Sequence, residues 1–306
     1  MKLKEFFNSD LVSLPRGGFD DAKETFDQFL EKLLECYLCQ LESIDDPEFP
    51  EIESALPDLV ATSRTLAASV LKALRNSLDG RVHLAYQEMS TELSKIDWTP
   101  FCSELADSNG SINLNDPFSP YLYAIRHPPL YRVRSDRSEF KIPERGDIFH
   151  VPFEKRRLVG NQRYSIAGLP WLYLGSSLWI CWEELGRPAL DSLWVSRFRI
   201  VKSVSVLDFQ FSPHQAWRMF EALREGTPRA ADRSSEEKLK VHFNLDFLKS
   251  YAYCWPLIAA CSIKREQRVG SFAPEFIVPQ LLLQWVCTRG TRGWHPIFLG
   301  TDSHPR

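Results

Sequence analysis

No stretch of the 306-residue sequence approaches the roughly 20 consecutive apolar positions that a membrane-spanning helix needs. The opening MKLKEFFNSDLVSLPRGG has two lysines but no apolar run of signal-peptide length, so a soluble, cytoplasmic protein is expected. Neither a P-loop nor a G-x-G-x-x-G stretch occurs, which excludes those two phosphate cradles. There is no internal repeat and no low-complexity tract. The seven cysteines are odd in number and unevenly spaced, which points to reduced thiols rather than a disulfide framework. Cys36 and Cys39, in CYLC, have metal or redox spacing, yet no second pair or histidine cluster accompanies them, and no metal is expected.

With 44% hydrophobic and 25% charged residues, the chain is globular and long enough for two cores. Its net charge of -3 conceals an asymmetry. Residues 1–125 carry 22 acidic against 10 basic side chains, and residues 126–306 carry 18 against 27. A basic half suits phosphate-bearing ligands or nucleic acid; opposite charges would equally help two halves dock.

The acidic half reads as a helical bundle. Phe26, Phe29, Leu30, Leu33, Leu34, Tyr37, Leu38 and Leu41 recur at three- and four-residue steps, which places them on one helix face, with Asp20 or Asp21 as the cap. A second helix is expected after Pro57, stopping near the Asp79-Gly80 turn. A third carries Val82, Leu84, Ala85, Met89, Leu93 and Ile96 inward. Arg75 and His83 raise the thought of a ribonuclease pair, but seven residues and a turn separate them, so a solvated helix end is the better account. DSNGSINLNDPFSP reads as a closing loop.

Beyond residue 126 the texture changes. PLYRVR, GDIFHV, WLYLG, SLWVSRFRI and SVSVLDF read as short strands, with helices around 246–263 and 275–287. Without steady βαβ alternation this is an α+β chain: an N-terminal helical domain over 1–125, then a mixed-sheet domain over 126–306.

One stretch, GNQRYSIAGLPWLYLGSSLWICWEEL, places polar residues where burial is expected. Tyr173 alternates with Leu172 and Leu174, and Glu184 follows the apolar run Leu178, Trp179, Ile180, Cys181 and Trp182. An unpaired carboxylate is costly there. Arg132, Arg134 and Arg163 are its candidate partners, and two readings fit. Either an Arg–Glu ion pair holds strands together, or the arginines offer forks to a phosphate while the carboxylate stabilises positive charge developing on a ribose carbon.

This stretch, with LYRVR before it, resembles the RES domain, known from bacterial toxin–antitoxin systems. Arg163, Tyr164, Gly168, Pro170, Leu172, Tyr173 and Glu184 fall in the family's spacing, while Asn161-Gln162 stands where the family has two glycines and Ser165 where it has Asn. Glu183 competes for the glutamate role, though spacing favours Glu184. The resemblance covers about residues 128–300. It implies an ADP-ribosyltransferase-like core that takes NAD as its substrate, breaks the nicotinamide–ribose bond and is held by a cognate antitoxin. Glu184, Tyr173 and Arg132 would be catalytic, and Arg163, Arg132 and Tyr164 would bind the dinucleotide, with Arg134 in reserve for Arg132. The first half resembles HEPN-type helical domains more weakly, through LDGRVHLAY, and lacks their Arg–His ribonuclease spacing. A partner-binding role is expected for it, with no nucleic acid.

The chain departs from the family at its C-terminal end. RES proteins follow a helix like EFIVPQLLLQWV with a strand D-G-I-R-Y-F-S that supplies the serine; this chain has GWHPIFL, Gly293 to Leu299. Codons for that segment can be chosen so that a one-base shift spells the family strand. A slipped reading frame near residue 290 would explain the difference and remove the serine, leaving Thr301 or Ser303 as the nearest hydroxyls.

Overall fold

The computed structural model describes residues 1–105, 129–135, 149–209, 211–225, 244–265, 272–289 and 294–299. Helices dominate and two small sheets accompany them, so the chain is α+β. The helices are α1 (Leu3–Phe7), α2 (Phe26–Glu42), α3 (Pro50–Leu78), α4 (Val82–Leu93), α5 (Leu178–Glu184), α6 (Pro213–Glu225), α7 (Leu245–Ser262) and α8 (Ile277–Arg289). The strands are β1 (Cys102–Leu105), β2 (Leu130–Ser135), β3 (Leu193–Phe198), β4 (Val204–Asp208) and β5 (Trp294–Leu299).

α2 buries the face its periodicity marks out: Phe26, Leu30, Leu33, Leu34, Tyr37, Leu38 and Leu41 are all in the core. Its cap is not Asp20 or Asp21. Thr25 takes that position, its N–H donating to the Gln28 side chain at 3.2 Å, while Asp20 instead accepts from the Ala22 N–H in the preceding turn at 3.1 Å. α3 begins at Pro50, eight residues before the expected start, because a proline at the first helical position loses no hydrogen bond. Pro57 lies inside the helix on its solvent side, where water can satisfy the freed carbonyl. On α4 Ala85, Met89 and Leu93 are buried as expected, but Val82 and Leu84 face solvent because the helix opens one turn before its packed stretch.

One hydrophobic core contains residues of both halves: Leu30, Leu34, Val70 and Leu74 share it with Trp255, Ile258, Leu282 and Trp285. The 125/126 boundary itself, the DSNGSINLNDPFSP loop, the first half of GDIFHV, and Thr301 and Ser303 lie outside the described residues, and the described half of GDIFHV forms no strand. α7 runs through this core although Pro256 interrupts its hydrogen-bond ladder. Proline has no N–H for the Ala252 carbonyl four residues back. The Tyr37 hydroxyl of α2 donates to that carbonyl instead, and its ring stacks on Trp255 with centroids 4.0 Å apart. Burial raises the Tyr37 hydroxyl's pKa well above the usual range, so it stays a donor. Tyr37→Phe keeps the ring but strands a buried acceptor, and urea titration should find it less stable by about 1–3 kcal/mol.

β2 pairs antiparallel with β3, from Leu130 opposite Phe198 to Ser135 opposite Leu193. In the second sheet the order is β1-β4-β5, with β1 antiparallel and β5 parallel to β4, so this sheet is mixed. GWHPIFL thus still provides a strand. Its register slips between Ser205 and Leu207, and Pro296 falls in that irregularity on an edge strand, where a missing N–H is tolerated. The expected WLYLG strand does not form: residues 171–174 are irregular, and Gly175 alone bridges to Tyr131. α6 is a helix that the sequence pattern did not announce.

Candidate active site

Residues 162–165 form a tight turn in which Gln162 and Ser165 exchange both backbone hydrogen bonds, at 3.0 and 3.1 Å, and Arg163 and Tyr164 occupy its tip. The turn rests on the helical core. Arg163 donates from one amino group to the Cys261 carbonyl at 3.0 Å and from the other to the Ile263 carbonyl at 2.8 Å, which satisfies acceptors at the open end of α7. A cation suits that end of a helix. The guanidinium also lies 5.3 Å from the centroid of the Phe276 ring. From α8, Gln280 Nε2 donates to the Asn161 side chain and to the Gln162 and Ser165 carbonyls.

The chain then turns at Gly168, whose φ of +82° favours glycine and whose N–H donates to the Val159 carbonyl at 2.9 Å. It passes Tyr173 and reaches Gly175, which exchanges two 2.8 Å backbone hydrogen bonds with Tyr131 of β2. A Cβ on Gly175 would stand 2.5 Å from Cys181 Sγ, so only glycine lets α5 sit this close to the bridge. Ser177 caps α5, accepting from the Ile180 N–H at 3.2 Å, and Glu184 ends the helix. Of the apolar run before Glu184, only Cys181 is buried, and Leu178 and Trp179 are 46% and 49% exposed. A seven-residue helix laid on a two-stranded sheet has only one face to cover.

Glu184 nevertheless differs from a surface carboxylate. The residue is exposed at the end of α5, yet enough protein packs around its carboxyl that desolvation raises its pKa, against the opposing pull of Arg163. Among the described residues Glu184 makes no ion pair, so it does not form the structural Arg–Glu clamp that spacing alone allowed. Its less exposed neighbour has one oxygen committed elsewhere: Glu183 Oε2 accepts from Arg187 Nε at 2.8 Å, one helical turn on, while Oε1 is buried without a hydrogen-bond partner among the described residues.

Arg163 and Glu184 both act electrostatically on Tyr173, whose hydroxyl is raised above its usual range, chiefly by burial. That hydroxyl lies near the Tyr164 backbone and the Ser165 side chain but meets neither in hydrogen-bonding geometry. Tyr164 is also pushed up by burial, beside the Cys261 thiol, itself raised to about 12 by burial. The fold therefore gathers Arg163, Tyr164, Tyr173 and Glu184. Arg132 stands one residue beyond the Tyr131–Gly175 bridge, and the charge bearing on it is that of Arg134; burial first, then this repulsion, lowers its pKa.

Three buried donors lack an acceptor among the described residues, Arg132 Nη1, Trp171 Nε1 and the Tyr173 hydroxyl. Orphaned buried donors are rare in finished interiors. Trp171 carries no signal in the sequence because an aromatic next to Leu172 looks like core.

A shallow groove of about 430 Å³ lies between α3 and α4, but its Lys72 and Glu88 pair at 2.6 Å and no orphaned donor lines it. Nearby, Arg75 binds Asp27 at 3.0 Å and Glu31 at 2.7 Å, which ties α3 to α2 and takes it away from a pairing with exposed His83. Cys36 and Cys39 are both exposed on α2. No helix among the described residues is long and apolar enough to cross a membrane.

The chain has a relative among curated proteins. It is 30% identical over 299 residues to the protein named "Putative toxin YopC" of Bacillus subtilis (strain 168), a match that covers 95% of this chain and 58% of that protein. The chain thus spans little more than half the length of the relative it matches. No family model and no solved structure matches it.

Proposed function

We propose that this chain is a toxin-like enzyme that consumes NAD by cleaving the bond between nicotinamide and ribose. The observation that carries the reading is the unpaired Glu184 set beside Arg163 and Tyr173, whose buried hydroxyl has no hydrogen-bond partner. Nicotinamide leaves with the electron pair of the C–N bond, the ribose carbon is then captured by water, phosphate or a protein side chain, and a partly desolvated carboxylate stabilises the positive charge in between more than one in water. Glu184 takes that role. Tyr173 orients the ribose through its hydroxyl, and Arg163 and Arg132 meet the diphosphate with N–H groups that the fold leaves over. Tyr164 braces the Arg163 turn against Cys261. The similarity to a protein named as a toxin supports the cellular role.

A second reading is favoured by the departure at β5. If that strand lacks the catalytic serine, the chain is an inactive relative that binds NAD, or binds an antitoxin through its acidic helical half. Incubation of the purified protein with NAD decides between them. The enzyme reading expects stoichiometric excess of nicotinamide over protein. No release, with ADP-ribose still bound in calorimetry, leaves the inactive binder, and neither release nor binding removes NAD from the account.

A further inference from the structure

We infer that Gln280, on α8, acts with Asn161 as a positioning residue for the Arg163 turn. The inference rests on the reading of Arg163 as a ligand-binding group and deepens it.

One amide nitrogen faces three acceptors: Asn161 Oδ1 at 2.6 Å, the Gln162 carbonyl at 2.9 Å and the Ser165 carbonyl at 3.1 Å. The two backbone oxygens can only accept, which fixes the side chain with its NH2 toward the turn. Each of those carbonyls already accepts one bond from within the turn, and Gln280 fills the second lone pair of both. The turn is thereby closed from inside by its own backbone and from outside by α8. Arg163 lies between the two anchored residues, and its guanidinium reaches α7 rather than α8. Its direction is therefore set by two helices of the shared core, and the Asn161 side chain is the group that makes the third contact.

Filling space and donating hydrogen bonds make opposite forecasts. Gln280→Glu keeps the volume but replaces the donor with a carboxylate facing three oxygens. Gln280→Ala loses volume and donor together without adding repulsion. The test compares wild type, both Gln280 variants and Asn161→Ala by hydrogen exchange at the Gln162 and Ser165 amides, by calorimetry with ADP-ribose, and by KM and kcat for NAD.

Loss of the donor should speed exchange of both amides by about fivefold or more, the equivalent of one hydrogen bond, with core amides of α3 unchanged. Gln280→Glu should be at least as damaging as Gln280→Ala. ADP-ribose affinity should fall and KM rise in the same order while kcat holds, because Glu184 stands on α5 and not on the turn. Wild-type exchange in either Gln280 variant, or a Gln280→Glu protein that matches wild type, overturns the inference. If both Gln280 variants fail to fold, faster exchange in Asn161→Ala supports it and unchanged exchange overturns it. A wild-type protein that binds no ADP-ribose defeats the NAD reading alone, since the amide exchange still decides the role of Gln280.

Discussion

Glu184→Gln should lower NAD cleavage by on the order of 10²–10³, the scale lost with one preorganised electrostatic partner of a transition state, while the protein becomes no less stable at neutral pH. The second half of the result follows from the direction of the carboxyl's pKa. Burial raises it in the folded state, so between the ordinary carboxylate value and the raised one the folded chain holds more protons than the unfolded chain. Stability therefore falls as pH rises through that window, and the cost of the desolvated charge is present once the pH lies above it. Glutamine carries no such cost. Thermal unfolding of the variant at pH 7 should match or exceed wild type, and the advantage should shrink as pH drops below the usual glutamate range. A variant that loses stability and activity together would show a structural carboxylate. Glu183→Gln serves as the control: it weakens the contact to the exposed Arg187 and should leave turnover close to wild type.

Arg163→Lys should fail in two measurements at once. Each charge-assisted hydrogen bond is worth roughly 1.5–3 kcal/mol, so losing one to a bound diphosphate weakens ADP-ribose by about 10- to 100-fold. A lysine cannot reproduce the planar fork that reaches both the Cys261 and Ile263 carbonyls, so the open end of α7 also loses a partner and the protein should unfold about 1–3 kcal/mol more easily. Calorimetry and urea titration separate the effects. Unfolding that shifts while ADP-ribose affinity stays the same would make Arg163 a helix cap and nothing more. Salt should weaken binding to the wild type, because part of it is electrostatic attraction between mobile charges.

Much of this site is legible in the sequence because its constraints are local. Gly168 is marked by a backbone conformation that few other residues adopt, and the eleven-residue step from Tyr173 to Glu184 spans one bridge and one short helix. Whatever depends on a distant neighbour is not legible there. Gln280 looks like a polar residue in an apolar helix, and its three acceptors lie more than a hundred positions away along the chain. The exposure of Leu178 and Trp179 runs against a hydrophobic run that reads as core, because burial depends on how much surface lies opposite a helix and not on the helix alone.

By itself the sequence determined the buried face of α2, the stop at Asp79-Gly80, the α+β class and the spacing that sets Arg163, Tyr173 and Glu184 apart. These rest on periodicity, turn chemistry and short separations, which act between residues close along the chain. Only the tertiary structure decided that α7 and α8 share one core with α2 and α3, that Arg163 spends two of its donors on the end of α7, and that Glu183 rather than Glu184 pairs with Arg187. Hydrogen bonding and desolvation are set by what packs against a group, and that information arrives only when distant segments meet.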